Sequence, residues 1–556
     1  FILIVYNFII FLISNIKEYI SMKKVISFLL IAFIFISCSK ANKSKTSVDG
    51  LFINVGAEPQ TIDPTLNKAS DASVYIIHAF EGLATKNKNG ELVGGAAESW
   101  EILDNGLKFI FHLKTNGKWS DGKPLTASDF VYSWRRAVNP ETASEYSYQF
   151  EPIKNSMDIN AGKLGLDALG IRAIDDYTLE VILEKPTAYF LELTAFPTFY
   201  PVREDIIEQY GNQWTMKPET YIGNGPYVMK ERNIDSDIIM VKNTNYWDYS
   251  NLVPEKITFV LMDNPTAAVA GIKEGSLHFS DKIPSQDIDS LKNEGILQLV
   301  KRLGTYYYAL NLTNEVLKNP KVRKALSLAI DRNYIVENIV KAGNPAGAFV
   351  PYGAPDVNNG DFREIGGDYI NLNKEDYSNN VKIAKRLMQE AGYPNGQNFP
   401  VLQFLVDSNR EIPIFEAVQQ MWKEHLGIDT SISQQEWAVF LQTLYTDKNY
   451  TIGRSGWTAD YNDPMTFLGM FLSYSPQNHA LFTNREYDNL LKTAMNTIDQ
   501  NIRMDSMHKA EAIFMNNDVI IPLYFYATPT LISPKLKGVI YDNLAKHKFS
   551  YAYIEE

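Results

Sequence analysis

Residues 96–134 read AAESWEILDNGLKFIFHLKTNGKWSDGKPLTASDFVYSW, and this stretch holds both halves of an α/β fold. Leu107–Leu113 alternates apolar and other side chains at period two, the pattern of a half-buried strand. Thr126-Ala127-Ser128-Asp129 has capping-box spacing: a hydroxyl and an acid three residues on satisfy each other's ends of a helix start. Val131, Trp134 and Val138 then fall on one helical face, and Pro140 stops the helix.

The same interleaving runs outward in both directions. Leu51–Val55 is a short strand-like run. Tyr177–Leu183 alternates after an Asp175-Asp176 turn. Val322, Leu326, Ala329 and Ile330 mark an amphipathic helix. Residues 381–391 form another, ended by Gly392 and Pro394. Ile414, Val418, Met421 and Trp422 mark a third, ended by Gly427, after which Ile428, Thr430 and Ile432 read as a strand. The fold class is therefore α/β. No period of 20–50 residues repeats, which excludes a solenoid or propeller. No long Gly/Ser/Pro linker separates beads, so the domains share strands or cross over more than once, as lobes around a cleft.

The chain has 556 residues, a prior of three or four domains. It is 45% hydrophobic and 21% charged, ordinary for a folded protein. With 53 Lys+Arg against 65 Asp+Glu, the formal charge is −12. That argues against nucleic acid as a partner, because a phosphate footprint needs concentrated Lys and Arg. The single Cys excludes an intrachain disulfide framework and any Cys-clustered metal site.

That Cys stands in a telling place. Met22-Lys23-Lys24 opens a basic segment, VISFLLIAFIFIS follows as a 13-residue apolar run, and Ser37 precedes Cys38. The run is short for a membrane span. Residues 22–37 read as a lipoprotein signal peptide, and 38–50 as a lipidated Cys38 with a flexible tether. The resemblance is to a lipobox, with Phe35 in place of the usual aliphatic residue. Residues 1–21 read as translated upstream, non-coding sequence and not as part of the protein, with a second membrane segment as the alternative.

A search for catalysis finds little. HExxH, GxSxG, GxxxxGK[ST] and GxGxxG are all missing. The seven His never stand at i,i+4 spacing and read as surface or core imidazoles. No enzyme activity, metal or cofactor is expected.

Three segments carry a specific resemblance: GAEPQTIDP (56–64), the stretch 96–134, and RSGWTADYNDPMTFL (454–468). They resemble the family-5 extracellular solute-binding proteins of bacterial ABC importers, the third segment the oligopeptide-binding branch. NGPY (224–227), TYYYALN (305–311), VRKALSLAIDR (322–332) and QQEWAVFLQ (434–442) support it in family order. The resemblance implies a type II periplasmic binding protein fold, two lobes around a cleft with an extra inserted domain. On that pattern lobe I takes residues 51–80, 203–305 and 527–556, the inserted domain II takes 81–202, and lobe III takes 306–526.

It also implies the ligand and its contacts. Short peptides would lie extended between the lobes and bond through their backbones, which gives affinity without choosing a sequence. The protein would be a monomer, anchored to the membrane by lipid outside the cytoplasm, and would deliver peptides to ABC permease subunits. Asp460, in WTADYNDP, matches the aspartate that pairs with the peptide's α-ammonium. Arg454 matches the arginine that reaches the C-terminal carboxylate of short peptides. Gly456 and Thr458 would offer backbone groups. Trp457, Trp437, Tyr146, Tyr307 and Tyr526 fall where the family lines its side-chain pockets. Asn224 and Gly225 are cleft-lining or a turn. Asp463, before Pro464, reads as turn chemistry. The residues used by relatives for longer peptides have no clear match: Asn314 and Glu411 lie near those places, and Leu66-Asn67-Lys68 stands where an early cleft acid is expected. The alternatives keep the fold with another ligand or output: a dipeptide, haem, nickel, a cell-wall or signal peptide, signalling or adhesion. A secreted hydrolase is the remaining reading.

Overall fold

The computed structural model describes residues 50–68, 70–408 and 411–555. The strands along the main paths of its two larger sheets are β1 (Leu51–Gly56), β2 (Ala97–Leu103), β3 (Lys108–Leu113), β4 (Ile171–Asp175), β5 (Thr178–Ile182), β6 (Tyr227–Asn233), β7 (Asp237–Lys242), β8 (Lys256–Leu261), β9 (Phe279–Ser280), β10 (Leu297–Leu310), β11 (Leu402–Val406), β12 (Thr430–Gln434), β13 (Ile452–Thr458) and β14 (Ile520–Ile532). Four helices frame the cores and the site: α1 (Ser70–Ala79), α2 (Ala127–Val138), α3 (Ile412–Leu426) and α4 (Gln500–Asn516).

The quoted stretch folds as its pattern predicts. β3 alternates half-buried and buried residues along its length. The Thr126–Asp129 capping box is present at the start of α2, and Asn139 caps its end. β2 to β5 form a four-stranded antiparallel sheet in the order β2-β3-β5-β4. Asp63, in the 56–64 segment, ties this region to the first strand's side of the molecule. It takes Arg136 of α2 at 3.1 and 2.7 Å and Trp214 at 3.1 Å.

An 11-stranded sheet runs in the order β12-β11-β13-β10-β14-β9-β1-β8-β7-β6, with the short strand Asn344–Pro345 pairing β14 off that path. Parallel pairs (β1 with β8 and β9, β11 with β12 and β13) are mixed with antiparallel ones. β10 and β14 are long, 14 and 13 residues. Leu297 and Leu531 pack with Ala268, Ile272 and Leu291 in one core. Farther along β10, Leu303, Tyr307 and Ala309 enter a second core, while Tyr306, Tyr308 and Leu310 enter a third on the opposite face. Two continuous strands thus join separate cores, and the register between them breaks from Lys301 to Thr305. A bulge at such a place bends the strand and re-aims side chains.

Helix ends follow local chemistry. Gly427 closes α3 with φ 71°, a left-handed cap that suits Gly. Asp499 caps α4 by accepting from the amides of Asn501 and Ile502.

Candidate functional site

The site grows from β13. Ile452 and Gly453 pair with Phe404 and Leu405 of β11, while the other edge of β13 pairs with β10 from Leu310 to Gly304. Beyond Gly453, no strand pairs with the β11-side edge of Arg454–Thr458 among the described residues. An open edge of this kind offers unpaired N–H and C=O groups to an extended chain.

Two glycines shape the other side of this strand. A Cβ on Gly456 would stand 2.2 Å from the Tyr526 hydroxyl, and one on Gly304 would stand 2.5 Å from the Tyr526 ring. The Tyr526 ring therefore lies across two neighbouring strands where only hydrogen side chains leave room.

After Thr458 the chain turns sharply, and the turn is held by several bonds. The Ala459 amide donates to the Leu303 carbonyl at 2.8 Å. The Asp460 amide donates to Thr466 Oγ1 at 3.3 Å, and Trp457 Nε1 donates to the same oxygen at 3.2 Å. Asp463 accepts from the Met465 amide at 2.8 Å and pairs with buried Arg503 at 2.6 Å. The reading of Asp463 as turn chemistry fits this arrangement. Asp460 is thereby fixed at the end of the open edge.

Asp460 faces a cavity of about 240 Å³ that Lys68, Tyr146, Phe196, Arg302, Thr458 and Lys546 also line. Burial pushes its carboxyl up to about 6, against a hydrogen bond with Tyr148 and the charge of Lys546. A carboxylate so placed is short of positive charge. Tyr146 stacks on Phe196 at 5.6 Å and tilts against Tyr148 at 5.6 Å, forming an aromatic wall. Burial, then the Asp460 charge, pushes the Tyr146 phenol up. Lys546 holds its Nζ 4.2 Å above the Phe196 ring. Burial pushes this ammonium down to about 8, offset in part by Asp542. Asp542 also takes Lys86 at 3.0 Å.

The remaining expected residues divide. Arg454 is half-buried and already engaged, with Asp407 at 3.1 Å and Glu411 at 3.6 Å. Burial alone would lower the guanidinium, but these carboxylates outweigh it and raise it. Trp437 is 50% exposed on the short helix Trp437–Leu441 and stacks on Phe440. Tyr307 lies in the core instead of a pocket wall. It is 0% exposed, its hydroxyl meets His479 Nε2 at 3.3 Å, and its ring packs on Phe349. Asn224 and Gly225 hold the chain after α1. Asn224 accepts from the Glu81 amide and donates to its carbonyl, and a Cβ on Gly225 would sit 2.5 Å from the Phe80 nitrogen. They form a structural clamp, not a cleft surface. Cys38 lies outside the described residues.

Sequence reading missed Tyr148, Thr466, Arg302 and Lys546. Tyr148 sits two residues from a residue already singled out, and Thr466 lies inside the quoted 454–468 segment. Arg302 and Lys546 carry no local signal. Among the described residues, no group of three or more His, Cys, Asp or Glu is placed to hold a metal ion.

Residues 91–479 match the model of the family described as bacterial extracellular solute-binding proteins, family 5 Middle. The oligopeptide-binding protein OppA of Bacillus subtilis is 33% identical over 529 residues, covering 93% of this chain and 94% of that protein. The unliganded open form of MppA, a periplasmic murein tripeptide binding protein, superposes with a TM-score of 0.83 at 33% identity, covering 91% of this chain and 97% of that one. The Haemophilus influenzae OppA complex with the peptide RPPGFSPFR gives 0.66 at 32% identity, covering 91% and 99%. The backbone of this chain follows the open arrangement more closely than the peptide-bound one.

Proposed function

Since the chain belongs to the bacterial extracellular solute-binding proteins of family 5, we propose that it captures short peptides outside the cytoplasm and delivers them to an ABC importer. The fold is that of the type II periplasmic binding proteins, and the family binds substrates without transforming them.

One observation carries the peptide reading: the open edge of Arg454–Thr458 ends at a half-buried carboxylate. A peptide added along that edge bonds through its backbone, with Gly456 and Thr458 supplying partner groups. Its α-ammonium then reaches Asp460, which lacks a full countercharge. Leaving an ammonium unpaired in a closed cleft would cost several kcal/mol, so free amino termini are favoured. Trp457, Tyr146, Tyr526 and Trp437 supply walls for side chains. Arg454 receives a ligand carboxylate only in exchange for Asp407 or Glu411. Peptides long enough to carry their C-terminus past this group avoid that exchange.

Calorimetric titration of trialanine and N-acetyl-trialanine tests the assignment. Asp460→Asn is expected to weaken the free peptide by about 2–4 kcal/mol, roughly thirty- to a thousand-fold, and to leave the already weak acetylated peptide unchanged. Equal losses for both would remove Asp460 from the ammonium site.

The proposal includes a lipid on Cys38 and a protein acting as a monomer. The basic residues, apolar run and Ser37 before Cys38 support the lipid. Cys38→Ala should shift the protein from the membrane to the soluble fraction and abolish palmitate labelling. Membrane retention by this variant would demand another anchor.

A further inference from the structure

The cavity beside Asp460 is also lined by a group of opposite sign, the guanidinium of Arg302. Arg302 lies in the bulge where β10 leaves its register with β14. Its neighbours fix the backbone there: the Leu303 amide donates to the Asn543 carbonyl at 2.9 Å, and the Leu303 carbonyl accepts from Ala459. The Arg302 side chain lines the same cavity of about 240 Å³ as Asp460. Its Nε is buried without a hydrogen-bond partner among the described residues. No carboxylate among them closes an ion pair with it.

The other cations of the cavity are matched. Lys68 pairs with Glu145 at 2.5 Å. Lys546 feels Asp542 and rests on the Phe196 ring. Among the described residues, the one carboxylate lining the cavity is Asp460, and a bound ammonium would neutralise it. Arg302 would then face the ligand with no free carboxylate opposite it among the described residues. A guanidinium presents paired N–H donors in a planar fork that fits a carboxylate.

We propose that this cavity takes a carboxylate belonging to the ligand, close to the ligand's amino end, with Arg302 as the residue that selects it. The inference rests on the peptide reading and names its substrate class: peptides with an acidic side chain at the first or second position, or dipeptides, whose own C-terminus lies that near. Ammonium on Asp460 and carboxylate on Arg302 form one zwitterionic recognition unit inside a single cavity.

Titration calorimetry on the whole protein tests this with isosteric pairs. The peptides are Glu-Ala-Ala against Gln-Ala-Ala, Ala-Glu-Ala against Ala-Gln-Ala, and dialanine against dialanine amide, with trialanine as reference. At least one pair should show a tenfold or greater preference for the carboxylate. Arg302→Gln should abolish that preference and leave trialanine within threefold of the unmodified protein, while Arg302→Lys should keep part of it. Discrimination in the glutamate pairs identifies the side chain as the source, and discrimination in the dialanine pair identifies the C-terminus. Either one, lost in Arg302→Gln, supports the proposal. Absence of discrimination in all three pairs, or its survival in Arg302→Gln, overturns it. If no peptide in the set binds the unmodified protein, capture of di- and tripeptides fails and the role of Arg302 with it. Binding of trialanine without carboxylate preference removes only the role of Arg302.

Discussion

At the scale of single residues, the proposed site rests on a carboxyl that burial holds short of countercharge. Burial lifts the Asp460 carboxyl from its ordinary 3.8 to about 6, and an ammonium ligand would draw it down again. The sign follows from linkage: the ligand binds the carboxylate form, so protonation competes with binding. Affinity for a free-amino peptide should therefore be flat near pH 7 and fall below pH 6, by up to tenfold per pH unit. Titrations at pH 4.5, 5.5 and 7 check this, and Asp460→Asn should erase the dependence. A slope that persists in Asp460→Asn would assign the titration to another group. The sequence shows Asp460 because its neighbours form one continuous segment, WTADYNDP. It does not show Arg302 or Lys546, because each reaches the cavity from a remote part of the chain. Tyr307 departs from its expected place for a different reason. In TYYYAL every residue is buried, so successive tyrosines alternate between two cores. An aromatic run there reports a central strand, not a pocket.

At the scale of elements, patterning is a good guide wherever one face meets water. β3 and the α2 capping box lie within a residue of their expected places. The helix expected over 381–391 begins earlier, at Tyr377, because its first turn is polar and gives no periodic signal. The pairing of β13 with β10 is beyond local reading, since the bulge and the two glycines serve a ring from a third strand. That packing has a measurable consequence. Gly456→Ala would drive a methyl group to 2.2 Å from the Tyr526 hydroxyl, and overpacking of this kind costs about 1–3 kcal/mol. Thermal unfolding should show that loss, and adding Tyr526→Phe should restore part of it by removing the clashing oxygen. A full loss unaffected by Tyr526→Phe would place the strain elsewhere.

At the scale of the whole molecule, β10 and β14 are the continuous connections between separate cores, and the bulge at Lys301–Thr305 sits between them. The proposed binding groups gather beside that bulge: Arg302 on it, and Asp460 one turn beyond the strand that pairs with it. A ligand held there touches several segments at once and so stabilises whichever arrangement brings them together. No composition or periodicity foretells this gathering. The family resemblance supplies the lobes, and the physical reason for the position of the site emerges from the strand crossing. The most direct measurement is native mass spectrometry of the chain from Ser39, as purified and again after mild denaturation. A ladder of released masses matching mixed short peptides with free amino ends is the predicted result. A single bound mass of non-peptide composition would contradict peptide capture as the function of this cleft.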